Sequence, residues 1–509
     1  MYKQFLLAFF PFLVIFLIIF GAIKYPEVTI IGLLLFNMFW VTKLIIQNYE
    51  IYNTSKLINY FKNINLYDEI LNSNSLKILD EKPVPNSFYS KYINSHINAS
   101  IYFKLSKIEH LIVIPEYKEN SKILADTLEC IKGQQFPSDK IHICIAQEDR
   151  DSEKDETFNE LQRKYGNCFK SFFRTNHIKT EHEIIGKDSN LHSANKEIQK
   201  RFSNEEKDNI MVTVLDADNR IVNQNYLGQL AFMASIEEDN TYTMYKGINF
   251  FYGNYKDIPF YERVVASQLS MWSCGNSIYS YVAPISSYSY ILSKLDNIAW
   301  DGRTISDEQE LFFNGVNKYP DKFKILPIFL PLYLSMPSQS FYFLNNFIPL
   351  YKQFLRQLYG AVVLDTKLIE DILKNSNIGI YRKIAYIYYM LDTHIMWPVT
   401  IVALSFGVDM FYLFDKSFVS SGIGLTIINL QNIILIFAVI LYGITILFDI
   451  RFRFEYRESH FKPSREIFLA FGWIYMPVIQ FFIAFVPYVE IAIRILINKP
   501  LQHIPSEKR

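Results

Sequence analysis

Hydrophobic positions fall along this chain in two different ways. Near the start and through the last quarter they run on almost unbroken, whereas between them they come as short runs separated by polar stretches. Phe5 to Ile23 (FLLAFFPFLVIFLIIFGAI) carries no charge and is long enough to cross a hydrocarbon layer as one helix. A second apolar run follows at Val28 to Ile46 with no small-residue cleavage site before it, which predicts an uncleaved hairpin over residues 1–48 rather than a signal peptide. Apolar runs resume at Ile384 to Val408, Ile423 to Phe448 and Ile467 to Ile497, predicting a C-terminal transmembrane region over 376–509. Pro477 and Pro487 split the last run into a hairpin or kink one long helix, so the pattern allows five or six spans.

The middle of the chain reads differently. HLIVIPEYKEN, KIHICIAQED and IMVTVLDAD alternate with polar helical stretches, which predicts strands interleaved with helices, an α/β domain over 105–335. The first strand is placed at Leu111 to Ile114. A helical linker over 49–104 precedes the domain and interfacial helices over 336–375 follow it. Arg451, Arg453, Arg457, Lys462 and Arg465 cluster between the last two apolar runs and mark a cytoplasmic loop by the positive-inside bias. A hairpin that starts inside returns the middle domain to that side. The expectation is an integral protein of the plasma (inner) membrane with a cytoplasmic catalytic domain.

Composition narrows this further. Fifty per cent hydrophobic residues, 16% aromatic, suits membrane segments joined to a polar domain, and 51 basic against 51 acidic residues leave no field to attract nucleic acid. Cys130, Cys144, Cys168 and Cys274 have no CxxC spacing and read as reduced, packed thiols.

The candidate chemistry begins in NIMVTVLDADNR, Asn209 to Arg220, where a strand-like run ends in two aspartates one residue apart. Residues i and i+2 of a strand share a face, so Asp216 and Asp218 aim two carboxylates at one place, and like charges that close need a cation. An Asx-turn closing the strand is the plainer alternative.

VIPEYKENSKILADTLECIKGQQFP from Val113, GKDSN from Gly186, LDAD from Leu215, SDEQEL from Ser306 and QFLRQLYGA from Gln353 occur in an order and spacing that resembles membrane-integrated family-2 glycosyltransferases, cellulose and hyaluronan synthases among them. The resemblance spans roughly residues 105 to 365 and implies a GT-A fold with a mixed sheet, transmembrane helices at both ends, and a nucleotide-sugar donor. It implies that Asp216 and Asp218 hold Mg2+ or Mn2+ against the diphosphate, where a metal neutralises the departing charge without moving a proton. Pro115 and Glu116 fall where the family shapes its base pocket. Gln147, Glu148 and Asp149 stand where it often has one aspartate near the base or ribose, and the sequence leaves open which of them serves. Lys187 and Asn190 match a Gly-Lys segment beside the diphosphate. Gln353 and Arg356 match a Gln-x-x-Arg-Trp segment that closes the donor pocket from the membrane surface, with Gln357 in place of the tryptophan.

TISDEQELFF matches a Thr-Glu-Asp segment whose third residue is the general base, so Ser306, Asp307 and Glu308 take its three places, with Glu308 in place of the usual aspartate. Ser306 and Gln309 also read as a capping box. The leading expectation is an inverting glycosyltransferase acting on a membrane-associated saccharide or polysaccharide acceptor, with lipid around it. Transfer of a single sugar to a polyprenyl phosphate or other lipid acceptor is the second reading, and an inactive scaffold or transport protein is the third. YVAPISSYSYIL from Tyr281 is assigned no role. Asp392 and His394, inside an apolar run, are functional candidates by virtue of that position.

Overall fold

The computed structural model describes residues 2–73, 82–97, 101–239, 241–295, 298–304, 306–337, 343–455, 471–499 and 501. Arg457, Lys462 and Arg465 of the expected cytoplasmic loop lie outside them. At the centre is an eight-stranded mixed sheet, in spatial order β3-β2-β1-β4-β7-β6-β8-β5. Its strands are β1 Glu109–Glu116, β2 Ile141–Glu148, β3 Ser171–His177, β4 Ile210–Val214, β5 Arg220–Ile221, β6 Tyr242–Phe250, β7 Tyr288–Ile291 and β8 Phe323–Tyr333. β1 to β4 are mutually parallel, β7 runs antiparallel between β4 and β6, and β6 pairs parallel with β8. The apolar runs of β2 and β4 are buried at every position, which is what strands covered by helices on both faces require.

The chain order matters for the site. From β1 the chain steps outward to β2 and β3, then returns across the sheet to β4 on the other side of β1. Neighbouring strands whose connections diverge leave a crevice beyond their carboxyl ends, and ligands of open α/β sheets bind there. Here that crevice lies past Glu116 and Val214.

Among the described residues five helices are long and apolar enough to cross a membrane: Gln4–Lys24, Pro26–Lys62, Ile380–Leu404, Gly422–Glu455 and Gly472–Leu496, called here the first to fifth spans. Phe16, Val28, Leu35 and Val439 are each more than half exposed, an apolar surface that lipid would cover. The second span is a single 37-residue helix that carries on to Lys62, well past residue 48. The open question about the last apolar run closes on one kinked helix: the chain passes Pro477 and Pro487 through a 3-10 turn and a π turn without reversing direction. Proline cannot donate to the i−4 carbonyl and its ring crowds that carbonyl, so the helix departs from α geometry before each proline, with a tighter 3-10 turn ahead of Pro477 and a wider π turn ahead of Pro487.

The sheet domain and the spans are tied by specific contacts. Tyr252, just past β6, donates its hydroxyl to Asp449 of the fourth span at 2.6 Å, and the same carboxylate receives Arg453 at 2.8 Å. Asn48 of the second span bonds the Leu441 carbonyl at 3.2 Å and accepts from Thr445 at 3.1 Å.

Candidate active site

The crevice at the carboxyl ends of β1, β2 and β4 is a cleft with about 1320 Å³ of empty, partly open space. Eleven of the residues singled out in the sequence line it: Pro115 and Glu116 from β1, Glu148 from β2, Lys187 and Asn190 from the helix that follows β3, Asp216 and Asp218 after β4, Asp307 and Glu308, and Gln353 and Arg356. Asp149 does not, because it turns outward to Lys154 at 3.2 Å and Asn176 at 3.1 Å. Of the three residues left open at the end of β2, Glu148 therefore faces the cleft, held by Arg150, while Gln147 lies buried beneath.

The aspartate pair reaches the cleft by a different route from the strand geometry predicted. β4 ends at Val214, and Asp216 to Asn219 form a turn in which the Asn219 amide bonds the Asp216 carbonyl at 2.9 Å. Thr127 holds that turn from below through the carbonyls of Ala217 and Asn219, at 2.7 and 3.2 Å. The turn and the same-side carboxylates thus coexist. Asp216 receives Lys187 at 2.9 Å on one oxygen and the Ser286 hydroxyl at 2.5 Å on the other.

Lys187 is the first residue of the Lys187–Arg201 helix, so its ammonium and the positive end of that helix arrive together. It also contacts Asp307 at 3.1 Å and the Ser286 carbonyl at 2.9 Å. Burial alone would push the ammonium down, but Asp216, Asp307 and Glu308 override it and hold the lysine charged well above its usual range. Asn190, one turn on, spends its amide on the Ala146 carbonyl at 2.7 Å and so braces the end of β2.

The Asp307–Lys318 helix begins after Ser306 as expected, but the serine side chain makes no cap bond, so the expected capping box does not form. Its three first-turn acids diverge. Asp307 is committed to Tyr288, 2.8 Å away, and to Lys187. Glu310 points behind the cleft, where its carboxylate and those of Asp188 and Asp301 offer atoms within 4.8 Å of one another. Burial, with the charges of Asp307 and Asp301, raises Asp188 to about 7 although Glu310 donates a hydrogen bond to it, and burial with the charges of Asp188 and Asp301 raises Glu310 to about 10. Glu308 is the acid left facing the cleft, half-buried, and burial with the Asp307 charge pushes it up to about 8 despite Lys187.

Arg356 and Gln353 arrive from the Phe343–Lys374 helix. The guanidinium is within electrostatic reach of Asp216 and Glu308, which partly offset the lowering effect of its burial. Also lining the cleft, the Arg150 guanidinium sits over the Tyr117 ring, 3.7 Å from its centroid, and burial lifts Glu116 to about 8 even though Gln147 donates to it at 2.9 Å.

Sequence reasoning missed the residues that hold this arrangement together. Ser286 adopts a left-handed backbone, φ 65°, which costs a non-glycine residue about 1–3 kcal/mol and is kept only where surroundings over-determine it. There its hydroxyl serves Asp216 and accepts from Asn219 at 2.7 Å while its carbonyl serves Lys187. Tyr288 is fixed in turn by Trp300 at 3.0 Å. The only signal was the Ser- and Tyr-rich segment from Tyr281, whose composition does not distinguish packing from function.

Oxygen donors suit a hard divalent cation, and Asp218, buried to 7% exposure and lining the cleft beside Asp216, fits that role. No protein-family model matches the chain and no curated protein matches it. Among solved structures it is similar to a mannosyltransferase from Pyrobaculum calidifontis in complex with GDP-Man and Mn2+, at 10% identity and a TM-score of 0.44, over 81% of this chain and 98% of that one. It is also similar to residues 1–349 of S. aureus TarS in complex with UDP-GlcNAc, at 13% identity and a TM-score of 0.35, over 61% of this chain and 85% of that one. The functional reading rests on the cleft's own chemistry.

Proposed function

We propose that this chain is a membrane-integrated, inverting glycosyltransferase of the family-2 kind with a GT-A domain, moving a sugar from a nucleotide-sugar donor to a membrane-associated saccharide or lipid-linked acceptor. The observation that carries the reading is the meeting, at one crevice, of a charged lysine on a helix N-terminus, an arginine, two aspartates and a separate carboxylate of raised pKa. Diphosphate binding needs the first group, and deprotonating a hydroxyl needs the last.

In this reading the base lies toward Tyr117, Glu116 and Glu148, with Pro115 shaping its seat. The diphosphate lies between Lys187 and Arg356, where the helix N-terminus adds further donors. Asp218, with Asp216 in support, holds Mg2+ or Mn2+, which when bound neutralises charge on the leaving diphosphate. Asp216 is the hub: it keeps Lys187 and Ser286 in place through contacts at 2.9 and 2.5 Å. Glu308 takes the proton from the acceptor hydroxyl as that oxygen attacks the anomeric carbon from the face opposite the diphosphate, which leaves as the nucleoside diphosphate with inversion. Asp307, tied to Tyr288 and Lys187, orients the helix start beside Glu308.

Gln357 also lines the cleft, where a tryptophan would offer a growing chain a flat surface. This favours transfer of one or a few sugars over long processive extension, and the product length on an oligosaccharide or polyprenyl phosphate acceptor reads it. The test of the main proposal is incubation of the purified protein in lipid nanodiscs with a panel of nucleotide sugars and Mg2+ or Mn2+. Release of nucleoside diphosphate that stops in Glu308→Gln supports it. No release from any donor, with or without acceptors, sinks it.

A further inference from the structure

The helix that supplies Arg356 and Gln353 is anchored on its far side by a polar chain that no part of the proposed chemistry uses. Asp365 lies nine positions beyond Arg356, two and a half turns, and so projects from the opposite face. Its carboxylate meets His394 Nε2 at 2.5 Å, and His394 Nδ1 meets the Tyr488 hydroxyl at 3.0 Å. All three are at most 1% exposed, so no water competes for these bonds. A carboxylate only accepts, which puts a ring proton on Nε2; a neutral ring then accepts from Tyr488 at Nδ1, and a protonated one donates to it, so both bonds form in either state. Three elements are thereby joined: the Phe343–Lys374 helix, the third span and the fifth span.

Both spans are distorted where they contribute. The third span makes a π turn over Asp392–Met396 ahead of Pro398, whose ring would otherwise clash with the carbonyl of His394 four residues earlier, and the fifth makes one over Phe481–Phe485 ahead of Pro487 and Tyr488. An α-helix without the extra residue would swing His394 by about 100° around its axis and away from Asp365. Leu355, Leu358 and Val362 pack on Ile491, Ala492 and Ile495 around this chain, and Tyr351 adds a bond to Glu490 at 2.6 Å. A polar chain inside an apolar interface selects one rotation and depth of the helix, since any slip strands buried polar groups.

We infer that Asp365, His394 and Tyr488 are positioning residues: they lock the Phe343–Lys374 helix to the membrane spans in the one rotation that presents Arg356 and Gln353 to the diphosphate. This rests on the proposed donor site. The membrane spans thereby become part of the donor site rather than only an anchor.

A double-mutant cycle in the full-length protein in nanodiscs tests it, with UDP and GDP titrated separately in Mn2+. His394→Phe keeps a planar aromatic ring, somewhat larger than the imidazole, and removes both bonds. It is expected to weaken the nucleotide that the wild type binds about tenfold, and to weaken it no further when Arg356→Ala is already present, because the two losses are the same loss. Tyr488→Phe, which leaves the packing untouched, gives a smaller effect of the same kind and serves if His394→Phe fails to insert. Wild-type affinity in both variants overturns the inference. So does an equal additional loss on the Arg356→Ala background, the mark of a merely structural role. If Arg356→Ala alone leaves affinity unchanged, the donor-site reading fails and the inference falls with it, an outcome distinct from the first two.

Discussion

At the scale of single residues, the two aspartates of the 216–218 turn hold different positions. Asp216 has its oxygens engaged by Lys187 and Ser286, and in the proposed function it supports Asp218, which meets the metal directly. Asp218→Asn is expected to abolish the metal dependence of nucleotide binding, measured by calorimetry with and without chelator; equal chelator sensitivity in variant and wild type would refute it. Glu308 faces the open cleft with a pKa raised to about 8, and a base acts only when deprotonated. The rate constant kcat/KM should therefore rise with pH through about 8 and level off above it. Glu308→Gln should lower turnover about 10²–10⁴-fold and remove that limb, while nucleotide affinity persists. A normal Glu308→Gln beside a dead Asp307→Asn would transfer the role to Asp307.

At the scale of elements, the cleft depends on how the Lys187 and Asp307 helices are held together. Behind the cleft Asp188 from one and Glu310 from the other are pushed up to about 7 and about 10, so in the folded protein both take up protons more readily than in the unfolded chain. Groups with raised values stabilise below their unfolded pKa and lose that contribution as pH rises through the folded values. Thermal stability should accordingly fall as pH rises from about 4, the unfolded carboxyl range, with both groups contributing up to about pH 7 and Glu310 alone from there to about 10, and Glu310→Gln, which needs no proton, should flatten the fall in a melting series. Arg356 belongs to this scale as well, because it reaches the cleft only through the placement of its helix. Arg356→Ala is expected to weaken nucleoside diphosphate binding about 10- to 100-fold, the worth of one charged hydrogen bond, with insertion unchanged.

At the scale of the whole molecule, the sheet domain is bound to the spans through buried polar links rather than through a simple linker. Asp449 is completely buried and receives both Tyr252 and Arg453. Asp449→Ala would take the carboxylate away from the buried Arg453 guanidinium, and a loss of about 3–5 kcal/mol is expected in a chemical denaturation series, against less than 1 kcal/mol for an exposed ion pair. Tyr252→Phe, which removes one neutral donor, should cost about 1 kcal/mol. Equal effects of the two variants would show that the link is ordinary packing.

Sequence alone determined what depends on local pattern. Uninterrupted apolar runs marked the five helices that are long and apolar enough to cross a membrane, because length and the absence of charge decide whether a helix can do so. Short apolar runs at β1, β2 and β4 marked the sheet, and the order of short motifs marked eleven residues that line one cleft. Tertiary structure decided what depends on chain segments far apart. Proline tolerates both a kink and a break, so only packing against the other helices fixed the last apolar run as one helix. Glu148 and Asp149 are adjacent and alike in charge, and the direction of each side chain at the strand end separated them. Ser286 serves Asp216 only because its backbone is held left-handed, and His394 meets Asp365 only because a π turn rotates it there. Such conformations are paid for by contacts from elsewhere in the fold, and no local sequence pattern carries them.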